Sequence, residues 1–199
     1  MMLTQLVLIR HGITEWNKQR RYCGRKDIPL SRQGRAQAKQ LSKKLEAFKI
    51  EKIYSSDRKR ALQTSRIIFG RRKIITMKVL REINFGVLEG LRHEDILKKY
   101  GAAYKKWLVN PYKSRIPQAE TMVAFKKRVN RAIKKIVRFN PGKKIAIVCH
   151  GGVIGIFVSS VLNSNNFWRY VPAAASFTIV EYKKSRPIIK KFNQIEYLR

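Results

Sequence analysis

Two tripeptides constrain this chain more than any other feature: Arg10-His11-Gly12 and His150-Gly151-Gly152, each standing directly after a short, unbroken apolar run. The preceding segments, Leu3–Ile9 and Lys144–Cys149, read as strands buried on both faces, because their apolar residues run together and stop abruptly. From Ser31, a plausible N-cap, Ala38, Leu41, Leu45 and Phe48 recur at three- and four-residue spacing, which predicts an amphipathic helix. Lys52–Tyr54 and Lys73–Met77 read as further strands, and Ser55-Ser56-Asp57 as the cap of a helix running to about Phe69. A second strong helix is expected from about Thr121 to Phe139, with Val129, Ile133, Ile136 and Val137 on one face and Pro141-Gly142 stopping it. A helix should start near Gly152, and Phe177–Tyr182 and Ile188–Phe192 read as closing strands. Strands alternating with helices predict a three-layer α/β/α sandwich on a mainly parallel sheet, formed as a single domain over residues 1–199. In such sheets ligands gather beyond the carboxyl ends of the strands, where both tripeptides fall.

Composition narrows the class. Apolar residues make up 44% and aromatics 10%, which suits a globular core and argues against disorder. The apolar run before Arg10 is too brief for a signal peptide, and Ile145–Cys149 and Val153–Val158 are too short to span a bilayer, so the expectation is a soluble, cytoplasmic protein with no membrane partner. Cys23 and Cys149 are the only cysteines and suggest neither a disulfide framework nor a zinc site. With 45 Lys and Arg against 12 Asp and Glu, the net charge is +33, a field that draws in anions. The basic residues are scattered (Lys43-Lys44, Arg71-Arg72-Lys73, Lys98-Lys99, Lys126-Lys127-Arg128) rather than gathered in one stripe or arm, so nonspecific polyanion contact is expected and dedicated nucleic-acid binding is not.

The chain has three histidines: His11, His93 and His150. A lone histidine at a strand end is more often structural than catalytic, and His93 reads as a surface helix residue. His11 and His150 differ in that each is followed by glycine, which admits a close approach of backbone to ligand. Arg10 adds a planar fork suited to phosphate oxygens. Other routes to phosphoryl transfer are missing: there is no Gly-x-x-x-x-Gly-Lys-Ser/Thr loop, and six positions after Cys23 and Cys149 stand Pro29 and Gly155 instead of arginine. Asp27, Asp57 and Asp95 form no Asp-x-Asp pair, and carboxylates for a metal site are few, so catalysis without metal or other cofactor is the expectation.

Leu8-Ile9-Arg10-His11-Gly12-Ile13-Thr14-Glu15-Trp16-Asn17 resembles the signature of the histidine phosphatase (phosphoglycerate mutase-like) superfamily. The resemblance continues through Arg21-Tyr22-Cys23-Gly24, Asp27-Ile28-Pro29-Leu30-Ser31, Tyr54-Ser55-Ser56-Asp57 with Arg60-Ala61, Leu80-Arg81-Glu82 to Gly86, and Val148-Cys149-His150-Gly151-Gly152. Within the superfamily the chain is most similar to the alpha-ribazole phosphatase and broad-specificity phosphatase branch. The resemblance implies that His11 receives the phosphoryl group, and that Arg10, Arg60 and His150, the last best as a cation, clamp its oxygens. It further implies that Asn17 adds a hydrogen bond and that Glu82, with a raised pKa, serves as acid and then as base. Cys23, Gly24 and Gly151 fall where the family contacts substrate. Glu89 is the rival acid, but it fits the family's trailing Glu-Gly turn.

Departures cluster where a leaving group would lie. Cys23 replaces a glutamine, Pro117-Gln118-Ala119-Glu120-Thr121 replaces Pro-Gly-Gly-Glu-Ser, Leu88 stands where an aromatic is common, and Tyr197-Leu198 replaces His-Leu. The implied activity is hydrolysis of a phosphorylated small molecule, with alpha-ribazole 5'-phosphate, phosphoserine, a sugar phosphate or a broad range as substrates. The alternatives are a phosphoglycerate mutase and, in another class, a non-catalytic polyanion-binding module on the same fold. Oligomeric state is not legible.

Overall fold

The computed structural model describes residues 3–183 and 186–197. Six strands form one sheet in the order β3-β2-β4-β1-β5-β6. These are β1 (Thr4–Arg10), β2 (Lys52–Ser55), β3 (Ile75–Thr76), β4 (Lys144–Cys149), β5 (Phe177–Lys183) and β6 (Arg186–Gln194). The four strands from β3 to β1 are parallel, while β5 and β6 add an antiparallel wing. The sheet is therefore mixed around a parallel centre.

Strand pleating divides the core in two. Leu6 and Leu8 of β1, with Ile145 and Ile147 of β4, meet Phe125, Val129, Ile133 and Ile136 of α5 (Met122–Arg138) and Val153 and Phe157 of α6 (Gly151–Val161). The intervening Val7, Ile9, Ala146 and Val148 face Leu41 and Leu45 of α2 (Arg32–Leu45) and Ala61, Ile68 and Phe69 of α3 (Lys59–Phe69). Alternate side chains of a strand point to opposite faces, so continuous apolar runs demand helices on both. Three layers follow.

Ser31 and Thr121 cap α2 and α5 as their sequences predict, each side-chain oxygen accepting the backbone N–H three residues on. The third cap differs: α3 begins after Arg58, which makes no side-chain cap bond, and the Lys59 N–H donates instead to Asp27 Oδ1 at 2.7 Å, while Ser56 bonds His150 and Asp57 bonds Arg81. The strand expected at Lys73–Met77 shrinks to two residues at the sheet edge. A four-residue α1 (Glu15–Lys18) and a long α4 (His93–Val109) complete the set. The α4 helix has non-helical dihedrals at Tyr100 beside Gly101, and it packs Ile96, Tyr104 and Trp107 into a satellite cluster with Leu88. His93 is exposed at its start and bonds the Tyr104 hydroxyl through Nδ1 at 2.8 Å. Among the described residues no helix is long and apolar enough to cross a membrane.

Candidate active site

The sheet register brings the two histidines together. Arg10, the last residue of β1, pairs with Cys149, the last of β4, and the His11 N–H donates to the Cys149 carbonyl at 3.1 Å. The residues that follow each strand must then lie side by side: the His11 and His150 rings are 5.1 Å apart and nearly perpendicular. β2 ends beside β4 as well, so Ser56, whose N–H donates to Val148, joins the same rim.

One arginine organises both rings. Arg60, on α3, has no exposed surface. Its Nε–H is shared between His11 Nε2 at 3.2 Å and His150 Nδ1 at 3.3 Å. Its Nη atoms donate to the carbonyls of Lys26 (2.8 Å), Gly24 (2.8 Å) and Cys23 (3.4 Å). Burying an unpaired guanidinium would cost several kcal/mol, and these acceptors offset that cost. An N–H aimed at both rings assigns their tautomers. His11 carries its proton on Nδ1, which donates to the Gly12 carbonyl at 2.8 Å, and presents a lone pair at Nε2. His150 carries its proton on Nε2, which donates to Ser56 Oγ at 2.8 Å.

Burial, Arg60 and Arg10 push the His11 pKa well down, and burial, Arg60, His11 and Arg10 do the same to His150. Both rings are neutral at neutral pH. Glu82 moves the other way: burial raises its pKa, against N–H bonds from Gly152 to Oε2 (2.8 Å) and Ile83 to Oε1 (3.0 Å) and the charges of Arg60 and Arg10. The cause is desolvation, with no phosphate needed. A Cβ at Gly152 would sit 2.3 Å from Glu82 Oε1, so this glycine makes room for the carboxylate.

The site opens into a cleft of about 270 Å³ lined by Arg10, His11, Asn17, Glu82, Gly151 and Gly152 among others. Arg10 donates through Nη1 to the Pro172 carbonyl, while its buried Nε has no partner among the described residues. Asn17 caps α1 reciprocally with Thr14: its Oδ1 accepts from the Thr14 N–H at 3.0 Å. Arg60 and His150, which meet at the Nε2 edge of His11, are not among the residues lining the cleft, and neither is Gly24. A Cβ on Gly24 would meet the Ile83 carbonyl at 2.0 Å, so packing requires a glycine here.

The cleft is also lined by residues that no sequence motif singled out: Phe167, Trp168, Val171 and the exposed Arg20. Arg21, Tyr22 and Phe85 also line it, although they entered the reading only as parts of motifs. Ser56 could have been found by applying the strand-end rule to β2. Cys23 lines the cleft, and burial pushes its thiol up to about 11. At the departure from Pro-Gly-Gly-Glu, Gln118 keeps a left-handed φ of +58°, a conformation costing about 1 kcal/mol without glycine. Leu88 is buried in the α4 cluster, and Tyr197 stacks on Phe177, while Leu198 lies outside the described residues. Trp107 is core, and Trp16 covers Gly90. No three His, Cys, Asp or Glu side chains among the described residues gather as a metal site.

The family profile of the histidine phosphatase superfamily (branch 1) matches residues 6–195. The chain belongs to the histidine phosphatase superfamily. A relative described as a probable phosphoglycerate mutase from Cronobacter sakazakii is 36% identical over 164 residues, covering 80% of this chain and 75% of its own. The solved structure of Bacillus stearothermophilus YhfR matches with a TM-score of 0.93 at 30% identity, over 98% of this chain and 100% of that one. A phosphoserine phosphatase from Entamoeba histolytica, in complex with 3-phosphoglyceric acid, matches with a TM-score of 0.90 at 27% identity, over 98% and 100%. His11, Arg60 and His150 meet through the Arg60 Nε–H, and Glu82 lines the same cleft as His11.

Proposed function

We propose that this histidine phosphatase hydrolyses phosphate monoesters, without a metal, through a phosphohistidine on His11. The observation that carries the reading is the lone pair of His11 Nε2, oriented by the Nδ1–Gly12 bond and set in a cleft wall with Arg10 and Glu82. Nε2 attacks phosphorus, an N–P bond forms, and the ester P–O bond breaks as Glu82 gives its proton to the leaving oxygen. The Arg60 Nε–H, divided between the two rings at 3.2 and 3.3 Å, turns to a phosphate oxygen, and the dianion favours a proton on His150. Arg10 Nε, without a partner among the described residues, and the Asn17 side-chain amide supply further donors. Water then attacks phosphorus, Glu82 takes its proton, and His11 is restored.

The leaving group shares the cleft with Tyr22, Phe85, Phe167 and Trp168, which offer aromatic surface, and with Arg20 and Arg21, which offer positive charge. That lining suits an apolar or planar leaving group better than a bare sugar. An alpha-ribazole phosphate or a broad set of aryl and alkyl phosphates therefore leads the candidates. The mutase reading has its own support in relatives of 36–37% identity described as probable phosphoglycerate mutases. The deciding experiment supplies a phosphorylated-metabolite panel, including 3-phosphoglycerate, with EDTA present. Inorganic phosphate and an acid-labile, base-stable phosphoenzyme are expected. Formation of 2-phosphoglycerate favours the mutase, absence of any turnover favours a polyanion-binding module, and activity restored by a divalent ion overturns the metal-independent route.

The pKa directions set the pH dependence. His11 must be unprotonated, and its lowered pKa keeps it so into the acid range. Glu82 must be protonated, and its raised pKa keeps the proton to higher pH than an ordinary glutamate. The kcat/KM profile for an alkyl phosphate should peak on the acid side of neutrality, falling below as His11 protonates and above as Glu82 ionises. An alkaline optimum contradicts these assignments.

A further inference from the structure

Arg60 can aim at His11 only if the loop behind it presents its carbonyls inward, and something must then take the loop's outward N–H groups. That acceptor is Glu89, which does not line the cleft. Its Oε1 accepts from Arg25 N–H at 2.7 Å and Phe85 N–H at 3.3 Å, and its Oε2 from Lys26 N–H at 3.2 Å. The Arg25 N–H and the Gly24 carbonyl belong to one peptide unit. In a trans peptide these two groups point in opposite directions, so the carboxylate and the guanidinium occupy the two ends of a single dipole. Glu89 Oε1 holds one end at 2.7 Å and Arg60 Nη2 the other at 2.8 Å. A carboxylate at the N–H end polarises the unit and strengthens its carbonyl as an acceptor. Nothing larger than hydrogen fits on Gly24, because its Cβ would fall 2.4 Å from Glu89 Oε1.

We infer that Glu89 is a positioning residue of the phosphoryl-transfer site: through the Gly24–Arg25 peptide it holds Arg60 with its Nε–H on the reactive edge of His11. This rests on the proposed role of His11 as nucleophile. A clip that only stabilised the loop would influence folding and leave His11 alone. The charged and titratable groups around His11 are Arg10 at the end of β1, Arg60 on α3, His150 before α6, and Glu82 from the turn after Leu80. Of these, Glu89 governs Arg60.

The test is Glu89→Gln, whose side-chain amide must place a donor against one of the three N–H groups, with Glu89→Asp as a second variant that keeps the charge. In the unliganded protein, a nitrogen-detected NMR titration should show His11 protonating at higher pH in Glu89→Gln than in wild type, because the Arg60 charge that opposes protonation has moved away. Single-turnover phosphorylation of His11 by para-nitrophenyl phosphate should slow about 10- to 100-fold, the cost of a misplaced group near 1 Å. In an Arg60→Ala background, Glu89→Gln should add nothing further to that loss. An unchanged His11 titration, or losses that multiply in the double variant, overturns the inference even if the melting temperature falls. If Glu89→Gln does not fold, the same readings on Glu89→Asp decide, with a smaller upward shift expected. Failure of wild type to form any phosphoenzyme refutes the catalytic reading instead, and the titration still judges the link from Glu89 to Arg60.

Discussion

Alanine in place of His11 will abolish turnover and the phosphoenzyme together while leaving the fold intact. Removing a covalent nucleophile typically costs many orders of magnitude, here about 10⁴-fold or more. The site around it should persist, because Arg60 keeps His150 and three backbone carbonyls as acceptors when the His11 ring is gone. Circular dichroism, thermal melting and phosphate release on one sample check this. Substantial hydrolysis by His11→Ala would sink the phosphohistidine route.

Glutamine at Glu82 will separate substrates by their leaving groups. An alkoxide leaves poorly without a proton, whereas a nitrophenolate needs none. Phosphoenzyme formation should fall about 10²- to 10⁴-fold with an alkyl phosphate, the usual range for general acid catalysis, and much less with para-nitrophenyl phosphate. Single-turnover rates are needed, since in the proposed mechanism Glu82 also activates water in the second step. The structure adds a constraint: both carboxylate oxygens accept backbone N–H groups, so the glutamine amide must face one donor with another. A modest drop in melting temperature should accompany the kinetic effect. The exposed Glu15, paired with Lys18 on α1, supplies the control Glu15→Gln, whereas Glu89 is unsuitable because it braces Arg60. Equal losses on both substrates would move the acid's role elsewhere.

Much of this was legible in the sequence, for identifiable reasons. β1 and β4 are buried on both faces, so their unbroken apolar runs revealed the strands, and the strand ends located His11 and His150. The helices α2 and α5 each bury one regular stripe and carry a side-chain cap, and both signals are local. The rest depends on distant partners. Arg60 stands beside Arg58 and Lys59 and looks like a solvated charge, because the carbonyls that bury it come from a loop at residues 23–26. Ser55-Ser56-Asp57 looks like a helix cap until Ser56 turns to His150 and Asp57 pairs with Arg81. α4 mixes lysines with aromatics and departs from helical dihedrals midway, so its period is weak. The segment carrying Phe167 and Trp168 has no period at all, although it walls the cleft.

The ends of the sheet bear on how this protein behaves when crowded. A strand with a free side offers a template on which a second chain can add, and long, flat, apolar edges seed aggregation. Here one edge is β3, only two residues long. The other is β6, which carries Pro187, Lys190 and Lys191 and joins β5 across register irregularities. Proline removes a donor from the ladder, and the lysines would set like charges against each other in a β6-to-β6 pairing. Neither edge welcomes another strand, so the hydrophobic sheet at the centre is terminated on both sides by features that oppose growth.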